Sequence, residues 1–449
     1  MLLQARYIKN GFYKKNVIMC LIVAVLVTTL VSCNSDVRIK PVTLESEPES
    51  SKKISLRFIS SWGGVDTKSD PLQQVLNGFM EDNSDIEVIN ESMYGEDFLH
   101  KLKTDFASGY NPDVFGLWPG SDIRSLVEAG KVADITYLLD EDKDWKDTFG
   151  ESEWQFTTYS DKTYGLPLEI IYECLFINRD MFVHHNVKVP RTYGDLKQAV
   201  VDFRKKGVIP IAYNSTAEGT YLYQNIVARL GGRENVENPF INGVPNSCYV
   251  EAMDYVKELY QMEAFPSNAF KISSRERDDL FINKKAAMIV QGSWFIGRFK
   301  DGDTTVDIVP FPYIRGGVTS ESALIYGFGC GTFHMSRSAF NDEVRRDASV
   351  KLLKALTSKE SAEVFAKRTG MLSNVDSERL NTYRGRLRVN EKSLLNAADE
   401  LIGPPDSFVD RSIWERIIVE EFPYVLAGEK TPEQVWENVR QEYIIKGLE

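Results

Sequence analysis

From residue 54 the chain falls into short apolar stretches with alternating periods. Ile54, Leu56 and Phe58 alternate with polar neighbours, and Ile59 carries the run to Ser60-Ser61-Trp62-Gly63-Gly64. A period of two predicts a strand. Asp70-Pro71 then reads as an N-cap followed by proline at the first helical position. Leu72, Val75, Leu76, Phe79 and Met80 follow at helical spacing. Ile86-Glu87-Val88-Ile89 predicts a second strand; Leu99, Leu102 and Phe106 predict a helix ending at Gly109; Asp113 to Trp118 predicts a third strand. Ser121 is placed to cap another helix, with Ile123, Leu126 and Val127 inside and Gly130 at its end. Strands alternating with helices at this spacing predict a parallel sheet with right-handed crossovers.

A second unit of the same kind starts after Leu166-Pro167. Leu175-Phe176-Ile177, Val208 to Ala212 and Ala286 to Val290 read as strands. Thr192 to Leu196 opens a helix carrying Ala199, Val200 and Phe203, and residues 249–261 carry Met253, Val256 and Tyr260 at helical spacing. Strand-like text returns at 306–309 and 325–333, and from Asp342 the chain reads as mostly helical.

The segment before residue 54 reads differently. Arg6, Lys9, Lys14 and Lys15 precede an apolar run from Val17 to Leu30, and Leu30-Val31-Ser32-Cys33 closes it. A basic stretch, an apolar stretch and a small residue for cleavage make a secretory signal. The run is short of the roughly 20 residues that span a bilayer, and polar Asn34-Ser35-Asp36 follows directly. The last four residues resemble a bacterial lipoprotein box, in which Cys33 is lipidated and becomes the new N-terminus. Residues 34–53, rich in Pro, Ser and Glu, then form a flexible tether with a reach of roughly 25 Å.

Composition narrows the function. The chain holds 53 Lys and Arg against 65 Asp and Glu, a net charge of −12. Removing the four basic residues before Cys33 takes this to −16. So acidic a chain is a poor partner for nucleic acid or for a polybasic grip on anionic lipid. Of five cysteines, Cys20 leaves with the signal. Cys174, Cys248 and Cys330 remain, with no CxxC spacing, which excludes a disulfide scaffold and a zinc-ribbon site. Asp140 to Asp144 with Glu151 partly imitates a calcium loop. Trp145 stands where that loop requires glycine, so the run reads as a solvated acidic loop. No metal and no cofactor is expected.

Several segments resemble the extracellular solute-binding proteins of carbohydrate ABC transporters, the group that includes the maltodextrin-binding proteins. The resemblance rests on Phe106-Ala107-Ser108-Gly109 with Pro112-Asp113-Val114, on Val127 to Thr136, and on Tyr164-Gly165-Leu166-Pro167 with Leu175 to Asp180. It continues through Thr192 to Leu196, through Phe281, Lys284 to Met288 and Gly292-Ser293-Trp294, and through Thr431 to Gln434. These motifs run in the family's order from 54 to 449. Tyr193 replaces a common tryptophan and Lys284 a common glycine, and residues 369–420 match no family motif.

The resemblance implies a two-lobe α/β fold of the periplasmic-binding-protein type II kind, each lobe a mainly parallel sheet flanked by helices. It implies an N-terminal lobe of residues 54–168 and 285–332 and a C-terminal lobe of 169–284 and 333–449, with the ligand cleft between. Sugars present apolar C–H faces to aromatic rings and hydroxyl rims to carboxylates, amides and arginine. Ligands of open α/β sheets bind at the carboxyl ends of strands. Those ends supply Trp62, Trp118, Asn214 and Trp294, with Tyr221 close by and Glu169 in the crossing segment. Gly327, within Tyr326-Gly327-Phe328-Gly329, offers backbone amides. Asp410, Arg411 and Trp414 form a cluster for which ligand contact and helix packing both stand open.

The function so implied is capture of a sugar or oligosaccharide outside the cytoplasmic membrane by a lipid-anchored monomer, which hands it to ABC permease subunits without catalysis. A surface glycan-degrading enzyme and a ligand sensor for a membrane receptor are the alternatives. No nucleophile motif, metal cluster or phosphate loop favours the enzyme.

Overall fold

A computed structural model describes residues 53–300, 302–375 and 385–448. Cys33, the signal segment and all but the last tether residue lie outside them. Among the described residues no helix is long and apolar enough to cross a membrane.

The first lobe opens with β1 (Ile54–Ile59), α1 (Ser69–Asp82), β2 (Ile86–Asn90), α2 (Glu96–Ser108), β3 (Val114–Gly116) and α3 (Ser121–Glu128). The chain passes through the short β4 (Leu166–Pro167) into β5 (Glu169–Asn178), the long strand of the second lobe. There follow α4 (Tyr193–Lys205), β6 (Ile209–Ile211), α5 (Tyr221–Glu237), α6 (Ser247–Gln261), α7 (Ser274–Ile282), β7 (Ala286–Gly292), β8 (Val306–Val309) and β9 (Leu324–Phe328). The chain returns to the first lobe for β10 (Thr332–Met335), α8 (Glu343–Leu356) and α9 (Lys359–Thr369). It finishes in the second with β11 (Leu372–Ser373), α10 (Arg386–Ala397), β12 (Leu401–Ile402) and α11 (Pro432–Lys446).

The first sheet has the order β2-β1-β3-β10-β4 and the second β12-β9-β5-β7-β6, with β8 and β11 also pairing β5. Both sheets are mixed, not mainly parallel as the sequence suggests. In the first, β1 runs parallel to β2 and β3, but β10 is antiparallel to β3 and β4. In the second, every pairing of β5 is antiparallel. β5 enters from the other lobe, so its direction is set by the crossing and not by a βαβ turn.

The lobe boundaries also differ from those implied above. Residues 286–292 belong to the second sheet, because β7 pairs with β5 from Met288 opposite Ile177 to Gly292 opposite Glu173. All seven of its residues are buried, as a strand covered on both faces requires. Conversely β10, α8 and α9 belong to the first lobe. Phe333, Leu352, Leu356 and Phe365 share one core with Leu56, Phe58, Trp62 and Leu76. Among the described residues, three segments that link the lobes run near 168, 330 and 371–375. The three segments are hydrogen-bonded side by side: Leu168 N to Gly331 O at 3.1 Å, Gly329 N to Glu169 O at 2.9 Å, and Asn374 N to Leu168 O at 2.8 Å.

Helix starts follow local chemistry in part. Thr192 with Asp195, and Thr431 with Gln434, close reciprocal capping boxes on α4 and α11. At α1 and α3 the N-cap positions are Lys68 and Gly120, and neither helix receives a side-chain cap. Asp70 is the second residue of α1 and Ser121 the first of α3. Asp142, in the acidic run, caps a short helix at Lys143–Lys146.

Candidate functional site

Between the two sheets lies a cleft enclosing about 170 Å³, an order of magnitude more than one water requires. Residues 61–68, 94–95 and 118–122 line it from the first lobe. Residues 217–221, 291–298 and 404–411 line it from the second. These segments follow β1, β2, β3, β6, β7 and β12, so the carboxyl ends of strands from both lobes face one space.

The floor is an ion pair. Lys68 Nζ lies 2.8 Å from Glu169 Oε1, both side chains almost fully buried. Glu169 Oε2 accepts from the Gly331 amide at 3.0 Å. Burial pulls the Lys68 ammonium down, but Glu169 and Asp66 outweigh it and its proton affinity rises. Lys68 also sits 5.3 Å above the Trp62 ring. One carboxylate thus holds two crossing segments to the start of α1.

Aromatic rings stand on both walls. On the first lobe Trp118 packs edge-on against Phe98 at 5.9 Å, and Trp62 packs edge-on against Phe333 at 5.5 Å. On the second, Trp294 and Tyr221 meet at 5.6 Å with planes 68° apart. Behind them Arg277, wholly buried, reaches Glu218 at 2.6 Å and Asp278 at 2.7 Å. Gln291 Nε2 donates to the same two carboxylates at 3.3 and 3.4 Å. The Arg277 guanidinium is held charged against its burial by these anions.

The polar lining is rich in desolvated carboxyls. Burial pushes Glu173 well above the usual range, with Asp406 adding and the Asn225 amide, at 2.8 Å, opposing. Burial raises Glu218 and Asp406 against their arginine partners Arg277 and Arg411. Asp122 is pushed up to about 6 by burial, and its Oδ1 has no hydrogen-bond partner. Such a lining can donate and accept hydrogen bonds at once, which suits a hydroxyl-bearing guest.

Of the residues singled out from sequence, Trp62, Trp118, Glu169, Tyr221 and Trp294 line the cleft together. Three stand elsewhere. Asn214 is buried behind the second wall, donating to Ile272 O and accepting from Thr216 Oγ1. Gly327 lies inside β9 against Pro404, while its neighbours Phe328 and Gly329 reach the cleft. Trp414 is fully buried in the second lobe's core, 5.9 Å from the Tyr223 ring, so the cluster resolves into helix packing there. Its neighbour Arg411 turns to the cleft instead. Sequence reasoning missed Asp66, Lys68, Tyr94, Glu173, Glu218 and Arg298. The loops after β1 and β2 and the strand β5 were legible, but not which way their side chains face.

The fold is matched by known proteins. The family model for bacterial extracellular solute-binding protein matches residues 74–381. The chain belongs to that family. Among curated relatives, the galactooligosaccharide-binding protein of Bacillus subtilis (strain 168) is 23% identical over 305 residues, covering 66% of this chain and 69% of that protein. The multiple sugar-binding protein of Streptococcus mutans is 22% identical over 327 residues, covering 70% and 73%. Among solved structures, one from work on xylan utilisation by the thermophilic bacterium Caldanaerobius polysaccharolyticus has a TM-score of 0.77 at 23% identity. It is covered completely and covers 87% of this chain. A chitin oligosaccharide binding protein has a TM-score of 0.76 at 22% identity, covering 87% of this chain and 98% of its own. These likenesses establish the two-lobe solute-binding fold. As a member of this family the chain is an extracytoplasmic solute-binding protein.

Proposed function

We propose that this solute-binding protein captures a sugar or oligosaccharide and delivers it, unaltered, to the permease of an ABC transporter. The observation that carries this reading is the pair of aromatic walls, Trp118 on one lobe and Tyr221 with Trp294 on the other, lining one cleft over buried carboxyls. Rings take the C–H faces of a sugar, and Glu173, Asp406, Asp122 and Arg411 take its hydroxyl rim. The names of two curated relatives, a galactooligosaccharide-binding and a multiple sugar-binding protein, support the same ligand class. The protein works as a monomer with no cofactor, and binding draws the lobes together about the three crossing segments.

Cys33 carries the lipid that holds the chain to the outer face of the cytoplasmic membrane, with residues 34–53 as the tether. Cys33→Ser is expected to release the protein from membranes into the soluble fraction.

The test of ligand class is a thermal-shift screen of the mature chain against galacto-, malto-, xylo- and chito-oligosaccharides. At least one is expected to give a saturable rise in melting temperature. A flat response across the panel contradicts the reading.

A further inference from the structure

Each aromatic wall ends, two or three residues on, in a glycine at which the lobes touch. Trp118 precedes Gly120 (φ +92°), where an added Cβ would stand 2.9 Å from both Cβ and carbonyl O of Ser407 on the opposite lobe. Trp294 precedes Gly297, where a Cβ would stand 2.8 Å from Thr369 O and 3.0 Å from Thr67 Oγ1 of the first lobe. Non-bonded carbons rest at about 3.5–4.0 Å. Neither place admits a methyl group unless the lobes separate. At both, one facing atom is a backbone carbonyl, so no rotamer change relieves the clash.

The two contacts are well apart. Gly297 follows β7 and Ser407 follows β12, with β5 and β9 between them in the sheet. Three ladder spacings make roughly 14 Å. Two stops at that separation fix the tilt of one lobe on the other as well as its distance.

We propose that Gly120 and Gly297 are the stops of lobe closure: positioning residues whose missing side chains set the gap between the Trp118 wall and the Trp294–Tyr221 wall. The inference rests on reading that gap as the ligand site. A larger residue at either stop holds the walls apart, so a guest that touches one can no longer touch the other.

The test uses Gly297→Ala and Gly297→Val in the full mature chain, because Gly297 lacks the positive φ that strains any substitution at Gly120. Spin labels on Glu81→Cys (first lobe) and Lys205→Cys (second lobe) report lobe separation. Cys33 is replaced by serine, and the native Cys174, Cys248 and Cys330 are buried and stay unlabelled. Without sugar, the short edge of the pulsed-EPR distance distribution is expected to move out by roughly 1 Å for alanine and further for valine. Affinity for the tightest binder of the oligosaccharide panel is expected to fall about tenfold and about a hundredfold. The melting temperature of the unliganded chain keeps a packing defect distinguishable from an open cleft.

Should Gly297→Val fail to fold, Thr67→Trp adds bulk to the same contact from the other lobe and must move the short edge outward. Variants that keep both the wild-type short edge and the wild-type affinity overturn the proposal. If no oligosaccharide binds the wild type, the ligand reading fails, and the short edge alone decides the stops.

Discussion

Lys68 and Asp122 show how the cleft constrains single residues. Lys68 is buried on Glu169, and removing one member of a buried pair strands the other. Lys68→Met is expected to destabilise the protein by about 3–5 kcal/mol. Lys68→Met with Glu169→Gln should recover most of that, since no lone charge is left. Chemical denaturation of the two singles and the double checks the coupling; additive losses would contradict it. Asp122 works in the opposite direction. Its carboxyl titrates near 6 in the fold and near 4 in an unfolded chain, so the native state holds the proton more tightly. Below pH 4 both states are protonated and nothing is lost. As pH rises through 4 to 6 the fold must either keep the proton or bury a charge, and stability falls. Asp122→Asn is expected to raise stability by about 1–3 kcal/mol at pH 7 and to change little at pH 3.5. Melting curves at the two pH values check the sign.

The elements that carry the site can be separated from those that carry the core by two tryptophans. Trp294 sits on the turn after β7 and lines the cleft; Trp414 is buried in the second core. Trp294→Ala is expected to weaken oligosaccharide binding at least about tenfold, from lost ring stacking, with little change in melting temperature. Trp414→Ala is expected to cost about 3–5 kcal/mol of stability while the folded fraction keeps its affinity. Calorimetric titration beside a melting curve checks both. From sequence Trp294 stood at the end of an apolar strand, and Trp414 in a polar cluster for which ligand contact and helix packing were both open. What separates them is the packing of distant segments, Trp414 against Tyr223 and Trp294 against Tyr221, which no local pattern encodes. The strands β1, β2 and β3 and the helix α4 were legible because each is specified by its own period or start signal, and the start of α11 by its resemblance to the family's last helix. The place of β7 was not, since an apolar strand buried on both faces carries no mark of which sheet it joins. The N-caps of α1 and α3 misled as well: Lys68 and Gly120 stand there, and neither helix receives a side-chain cap.

At the scale of the whole molecule, two sheets of mixed sense are joined by three adjacent segments, and the site exists only where the lobes face each other. A ligand held by both lobes favours the closed arrangement by its extra contacts there. It should also stabilise the fold as a unit, by about 2.7 kcal/mol at a concentration one hundred times its dissociation constant. The measurement that bears most directly on the account is a calorimetric titration of the mature protein with the best oligosaccharide of the screen, followed by mass spectrometry of the recovered sugar. One site per chain is expected, with a dissociation constant of order micromolar, about −8 kcal/mol, weakened at least about tenfold in Trp294→Ala, and a sugar recovered at its original mass. Binding that survives Trp294→Ala unchanged, or a sugar recovered shortened, would contradict it.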